Sequence, residues 1–345
     1  MGQLLNEIQE QPEVLRRLIA DESAHIASIA AQIRRRDVRW VLIAARGTSG
    51  HAGVYARYVW GSLNRLPVAM AAPSLYTLYD SPLVLRDVLV VGISQSGQSP
   101  DIVAVLEDAR RQGASTLAIT NATASPLAQA ADFVIDCRAG EERAVAATKS
   151  YTAQLLVVAL LSAALAEDAA LRAQIERLPE AVAATLSLDG AAAQTAERYC
   201  HAQQMALVGR GYNYASALEI ALKLKELSYT STMGYSAADF QHGPIAVVQP
   251  GYPVLLVAPG GATSAGLEAL AHTLAARGAD MTVISDQPAI LNLAQRPLPL
   301  PVAVEEWLSP VTAVVPGQLL GYHLAVARGL DAEHPRGLSK VTETR

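Results

Sequence analysis

Residues 92–101 read GISQSGQSPD and residues 45–53 read ARGTSGHAG. Each is a glycine-bearing turn crowded with neutral donors: Thr48 and Ser49 beside Gly47 in one, and Ser94, Gln95, Ser96 and Ser99 around Gly97 in the other. Both follow an apolar run and precede a helical one, so their hydroxyls and free backbone N–H groups gather at a helix N-terminus, where an anion is favoured. A phosphate monoester is the simplest anion to use so many uncharged donors. Either loop taken alone also fits ordinary helix capping, since Ser and Asp are common N-caps and glycine-rich turns commonly follow strands. Two such loops on neighbouring turns of one sheet favour the phosphate. Neither is a GK[ST] phosphate loop or a GxGxxG dinucleotide fingerprint.

A second constellation lies in SALEIALKLKELS, residues 216–228. At about 100° per residue, Glu219, Lys223 and Glu226 fall on one stripe roughly 60° wide. Ile220, Leu224 and Leu227 form an apolar face, and Leu218, Ala221 and Leu222 cover most of the rest. Two readings stand open. One is a solvent-facing stripe held by the four-residue Glu219–Lys223 spacing; the other is a catalytic carboxylate tuned by a nearby ammonium, as proton transfer beside a carbonyl requires. His242, in a turn closed by Gly243 and Pro244, and Lys340, in the polar terminal stretch DAEHPRGLSKVTETR, carry no assignment from composition alone.

The elements that must hold these residues repeat. RWVLIAARGTSG is echoed by QQMALVGRGYNY, with Gly47 matching Gly211 at an offset of 164, and ARRQGASTLAITN by AARGADMTVISD, with Gly113 matching Gly278 at 165. In each copy, β-branched apolar runs alternate with helical stretches: VRWVLIAA, DVLVVGI, STLAIT and DFVIDC, then MALVG, YPVLLVA, DMTVIS and LPLPVAV. This pattern predicts an α/β protein of two tandem domains, each a doubly wound parallel sheet flanked by helices in a flavodoxin- or Rossmann-like three-layer sandwich. Ligands in such sheets bind beyond the carboxyl ends of the strands. The expected organisation is a helical segment at 1–36, a first domain at 37–170, a helical connector at 171–200, a second domain at 201–330 and a tail at 331–345. The second copy's counterpart of the serine-rich loop, APGGATSAG, has lost the dense hydroxyl cluster, which predicts one phosphate site per chain.

Composition narrows the class. With 51% hydrophobic residues, 17% charged residues and a net charge of −5, the chain fits a globular enzyme rather than a disordered or nucleic-acid-coating protein. The apolar stretch LLVVALLSAALA is too short for a bilayer span and suits a buried helix. The acidic, amphipathic start does not read as a signal peptide, so a cytoplasmic protein with no membrane or nucleic-acid partner is expected. Cys137 and Cys200 lack CxxC spacing, which argues against a disulfide framework or a zinc site.

Taken in order, EIQEQPEVL, GTSG, SQSGQSPD, AVAATKSYTAQ, EIALKLKELSY, FQHGP and PRGLSKVT resemble the SIS (sugar isomerase) family over nearly the whole chain. The similarity is greatest to the isomerase half of glucosamine-6-phosphate synthase and to stand-alone SIS-type glucosamine-6-phosphate deaminases. The resemblance implies that Gly47, Thr48, Ser49, Ser94, Gln95, Ser96 and Ser99 hold a sugar phosphate, and that Val145, Ala147 and Ser339 also line the substrate. It implies Glu226 as the shuttle of a proton between C1 and C2, with Lys223 assisting. It implies His242 as the ring-opening residue, supplied by the neighbouring subunit of a homodimer. Lys340 is implied to contact the open-chain sugar, with Schiff-base chemistry open to it.

The substrate implied is a phosphorylated aminosugar or ketose, and neither metal nor other cofactor is implied. Ala147 stands where the synthase has a serine, and the synthase's glutaminase domain is expected to be absent. The favoured expectation is therefore deamination of glucosamine 6-phosphate to fructose 6-phosphate and ammonia. The alternatives are a fructosamine-6-phosphate deglycase and a non-enzymatic sugar-phosphate-binding regulator. The regulator is disfavoured because Glu226, His242 and Lys340 are all present and no helix-turn-helix domain precedes the sheet.

Overall fold

Runs of Val, Ile, Leu and Ala bounded by glycine and polar turns pack best when both faces of a strand are covered, and here they form parallel strands. The computed structural model describes residues 2–340. The first sheet comprises β1 (Trp40–Ala45), β2 (Val68–Met70), β3 (Val88–Ser94), β4 (Ser115–Thr120) and β5 (Phe133–Asp136), in the order β2-β1-β3-β4-β5. The second comprises β6 (Gln204–Gly209), β7 (Ser231–Ser236), β8 (Pro253–Val257), β9 (Asp280–Ser285) and β10 (Arg296–Pro299), in the order β10-β9-β8-β6-β7. Every strand pair is parallel. Read from its own first strand, each sheet has the flavodoxin-like order 2-1-3-4-5, whose direction of winding reverses between strands 1 and 3 and opens a crevice there.

The chain divides into two compact units. The first-sheet unit holds Glu13–Glu142, Lys149–Glu176 and the chain from Ser339; the second-sheet unit holds the residues up to Pro12, Arg143–Thr148 and Arg177–Leu338.

In the first-sheet unit, Leu42, Ala44, Val88 and Val90 pack on Ile102 and Leu106 of the helix Pro100–Arg111. Their strand neighbours Val41, Ile43, Leu89 and Val91 are equally buried and face the other side of the sheet, because side chains alternate along a strand. The apolar stretch singled out in the sequence lies in the helix Lys149–Ala166, 83% of which is buried and where Trp60 Nε1 donates to the Val158 carbonyl at 3.3 Å.

In the second-sheet unit, Ala206, Val208, Val254, Leu256, Met281 and Val283 pack on Leu267, Leu270 and Leu274 of the helix Ser264–Ala276. The helix Tyr214–Ser228 is held by β7, where Thr232 Oγ1 donates to the Ala221 carbonyl at 2.6 Å and a side chain at Gly234 would come within 2.9 Å of Leu218 Cα. The helix Ser309–Ala327 presents Gly317 and Gly321 to the same helix. A Cβ at Gly317 would drive into Ile220, whereas one at Gly321 would meet Leu227 at 3.3 Å and Lys223 at 3.6 Å.

Two strands were not read from the sequence, β2 and β7, and both are edge strands. β10 lies at Arg296–Pro299, a little before the expected run LPLPVAV.

The Gly317 contact predicts an asymmetry between two otherwise similar substitutions. Gly317→Ala is expected to cost about 1–3 kcal/mol through overpacking, and Gly321→Ala distinctly less. Urea unfolding midpoints of the two variants would check this, and equal costs would contradict the packing argument.

Candidate active site

The two hydroxyl-rich loops leave β1 and β3, the strands on either side of the first sheet's reversal point, whose ends pair directly (Ala45 with Ile93). Gly47 and Gly97 take positive φ, +51° and +63°, a region open to glycine at little cost. A side chain at Gly97 would strike Ser125, so the serine-rich loop is pressed against the turn after β4. The Asn121 N–H donates to the Gln95 carbonyl at 3.1 Å, and the Leu127 N–H donates to the Gly97 carbonyl at 3.1 Å.

Within that loop the hydroxyls do two jobs. Ser94 Oγ accepts from the Gly97 N–H at 3.1 Å, and Ser96 Oγ accepts from the Gln98 N–H at 3.3 Å. A hydroxyl that accepts from the backbone keeps its own proton to donate elsewhere. Ser99 occupies the N-cap position of Pro100–Arg111 yet makes no side-chain cap bond, so capping does not account for its hydroxyl. Thr48 is half-buried in the first turn of Gly47–Asn64. Ser49 stands apart from the others: it is buried, and its Oγ accepts from Gln154 Nε2 at 3.1 Å.

Two residues that the sequence reading passed over tie the loops together. Arg46, directly before Gly47, reaches Asp101 in the first turn after Ser99, with Nε and Nη2 at 2.9 and 2.8 Å from Oδ2. Asp101 is buried and also accepts from the Ile102 N–H at 2.9 Å. Two guanidinium nitrogens converge on one oxygen of a buried carboxylate, a charge-assisted contact that ties the two turns together.

The tail joins the same unit. Lys340 Nζ lies 2.8 Å from Glu142 Oε2, and Glu142 also accepts from the Ser150 N–H at 3.0 Å and from Ser150 Oγ at 2.7 Å. Glu142 was likewise missed, because nothing in a linear reading connects positions 198 residues apart. Ser339, beside Lys340, is exposed.

In the second-sheet unit the stripe of the helix Tyr214–Ser228 does not face solvent, which removes the first of its two readings. Glu219 and Lys223 are 0% and 1% exposed; Glu226 is 22% exposed. Lys223 Nζ lies 3.4 Å from Glu219 Oε1 and 2.6 Å from Glu226 Oε2. The contact with Glu226 is close as an ion pair but lies off the hydrogen-bond axis, so Oε2 has no hydrogen-bond partner.

The Arg143–Thr148 segment, which carries Val145 and Ala147, belongs to this unit as well. Its start is pinned by Glu7, whose Oε1 accepts from the Arg143 N–H at 2.6 Å and whose Oε2 accepts from the Ala144 N–H at 3.2 Å. Its end is held where Gln318 Nε2 donates to the Thr148 carbonyl at 3.4 Å. His242 ends the short helix Ala237–Gln241; it is exposed and is followed by Gly243 at φ +131°.

The structure thus gathers Gly47, Thr48, Ser94, Gln95, Ser96 and Ser99 around the first sheet's reversal point. Glu219, Lys223 and Glu226 form a ladder on one helix of the second-sheet unit. Among the described residues no group of three His, Cys, Asp or Glu side chains is placed to hold a metal ion.

Two tandem five-stranded parallel sheets with one strand order define the class of the chain. The SIS domain model matches residues 36–164 and 199–328, and the chain belongs to the SIS-domain family. It is 35% identical over 98% of its length to a Thermococcus kodakarensis glutamine–fructose-6-phosphate aminotransferase (isomerizing), and it spans 57% of that relative. A solved structure of a candidate phosphosugar isomerase from Silicibacter pomeroyi superposes with a TM-score of 0.87 at 37% identity, covering 96% of this chain and 100% of the other. The C-terminal domain of a glucosamine–fructose-6-phosphate aminotransferase from Francisella tularensis gives a TM-score of 0.87 at 27% identity, with 97% and 98% covered.

The buried ladder predicts a stability signature. Lys223→Met takes the ammonium away from two carboxylates and is expected to cost about 3–5 kcal/mol, the usual penalty for breaking a buried pair from one side. Adding Glu219→Gln to that variant should recover part of the loss. A double-mutant cycle by chemical denaturation checks both, and strictly additive costs would deny the coupling.

Proposed function

We propose that the protein is a phosphosugar-processing enzyme that converts glucosamine 6-phosphate and water to fructose 6-phosphate and ammonia. The observation that carries the reading is the Glu219–Lys223–Glu226 ladder. It is a partly exposed carboxylate backed by a buried ammonium, the arrangement expected of a group that takes a proton from carbon and returns it to the neighbouring one. The cradle at the ends of β1 and β3, with Thr48, Ser94, Gln95, Ser96 and Ser99, supports a phosphate-bearing substrate.

In the proposed sequence His242 opens the pyranose ring by moving a proton between the C1 hydroxyl and the ring oxygen, leaving a C1 aldehyde and a C2 amine. Glu226 takes the C2 proton as O1 gains one, the C1–C2 enolamine forms, and the same carboxylate returns its proton to C1 as the nitrogen gives one up. The resulting C2 imine adds water and expels ammonia, so one water is consumed and no oxidant is needed. Lys223 lies 2.6 Å from the shuttling carboxylate and fixes its position through the cycle. Lys340, seated on Glu142, contacts the open-chain sugar.

The aminotransferases to which the chain is similar are named for fructose 6-phosphate, with glutamine as the second substrate. Ammonia release is the direction that asks for nothing beyond water, and that argument selects it. We further propose a homodimer in which His242 serves the partner's substrate; His242 is exposed at the end of the helix Ala237–Gln241.

The test is ammonia release coupled to fructose 6-phosphate formation. Glu226→Gln is expected to lower kcat by roughly 100- to 10,000-fold, the range for loss of a general acid–base group, while sugar-phosphate binding persists. Wild-type protein inactive on glucosamine 6-phosphate but active on fructosamine 6-phosphates would replace the deaminase reading with the deglycase. Mixing inactive Glu226→Gln with inactive His242→Ala should restore partial activity if the histidine crosses the interface; no recovery would place it in the same subunit's site.

A further inference from the structure

The two copies repeat with an offset of 164 through their anion loops: Gly97 matches Gly261, and Ser99 matches Thr263, each of the latter pair standing directly before a helix, Pro100–Arg111 or Ser264–Ala276. The second loop leaves β8, which neighbours β6 at the reversal point of its own sheet. It is not vacant. Glu306, on the segment between β10 and the helix Ser309–Ala327, places its carboxylate in it. Oε2 accepts from the Ala262 N–H at 2.7 Å, and Oε1 accepts from the Thr263 N–H at 3.3 Å and from Thr263 Oγ1 at 2.9 Å.

The loop is shaped around that carboxylate. Gly261 has φ +145°, and a side chain there would collide with the Glu306 carboxylate. The remaining loop N–H groups are answered from within, Gly261 by Ser264 Oγ at 2.8 Å and Gly260 by Asp286 Oδ1 at 2.7 Å. Glu306 is itself anchored: its carbonyl accepts from Ser309 Oγ at 2.7 Å, and Ser309 Oγ accepts from Asn213 Nδ2, in the turn after β6, at 2.7 Å.

The positions matched to Ala262 and Thr263 in the first copy are Gln98 and Ser99, where the Ser99 hydroxyl makes no cap bond. We propose that Glu306 is a resident anion that closes the second copy's counterpart of the phosphate loop, so that the chain takes an oxyanion through its first copy alone. Loss of hydroxyls from APGGATSAG does not by itself account for a single site, because two N–H groups and a threonine hydroxyl are still aimed at one oxyanion position. The carboxylate that fills that position does account for it. The inference rests on reading the first-copy loops as a phosphate cradle, and its test separates the two ideas.

Inorganic phosphate binding is measured by isothermal titration calorimetry in phosphate- and sulfate-free buffer. The proteins compared are wild type, Glu306→Ala, Ser96→Ala/Ser99→Ala, and the triple variant. The expected numbers of sites are one, two, none and one. Thr263→Ala added to the triple variant should abolish the remaining site and so locate it. The Glu306→Ala protein should also melt below wild type and regain stability with phosphate. Glu306→Ser opens the same space if the alanine variant does not yield folded protein. No phosphate bound by folded triple variant overturns the proposal. No site in wild type but one in Glu306→Ala would sink the first-copy cradle while leaving the role of Glu306 intact.

Discussion

An ammonium group with 1% of its side chain exposed is tolerable in a protein interior only if carboxylates share the space, because the desolvation of a lone charge costs several kcal/mol. Lys223 satisfies that condition from its own helix, one turn back to Glu219 and one turn forward to Glu226. The ladder is dry at one end and open at the other. Gly317 and Gly321 let the helix Ser309–Ala327 come close over Ile220, Lys223 and Leu227, and β7 packs along the same helix through Thr232 and Gly234. Glu226, near the helix's C-terminal end, is the member left with access to solvent.

What the sequence revealed and what it concealed divide along the range of the interaction. β1, β3, β4, β6, β8 and β9 lie in the middle of the two sheets, and their apolar runs are unbroken because both faces are covered. β2, three residues long, and β7, reading STMGYS with an internal glycine, are edges that need no continuous apolar run and leave no such mark. The glycine-bearing loops were legible because a turn and its donors are adjacent in sequence. The pairs that hold those loops were not, since Arg46 with Asp101, Glu142 with Lys340 and Glu7 with Arg143 are joined only by folding. Helical spacing brought out the ladder itself but could not say which way it faced, because a charged stripe looks the same whether water or protein covers it.

The same reasoning separates the serines of the first cradle, which the motif presents as equivalent. Ser94 and Ser96 each hold a loop N–H and retain a proton to donate; Ser99 has an uncommitted hydroxyl at a helix start; Ser49 is committed to Gln154 inside the unit. A phosphate bound there as proposed would be met by these neutral donors and a helix end. Arg46 contributes at one remove, through Asp101. Under the proposed function, such a cradle would hold the anion through oriented dipoles and leave the charged side chains Lys223 and Lys340 to the sugar carbons.

Two copies of one scaffold carry different residues at matched positions, and the physical demands explain the difference. Both reversal points present helix-start N–H groups that need an acceptor and favour a negative one. The first copy leaves Ser99 uncommitted and uses the carboxylate on the segment after β5, Glu142, to seat Lys340. The second sends the carboxylate on the segment after β10, Glu306, into the loop itself and builds its charged ladder on the helix after β6. A duplicated fold with two open cradles would carry two competing sites for one charged end of the substrate. Filling one from within removes that competition while leaving the loop geometry, and the helix packing that depends on it, intact.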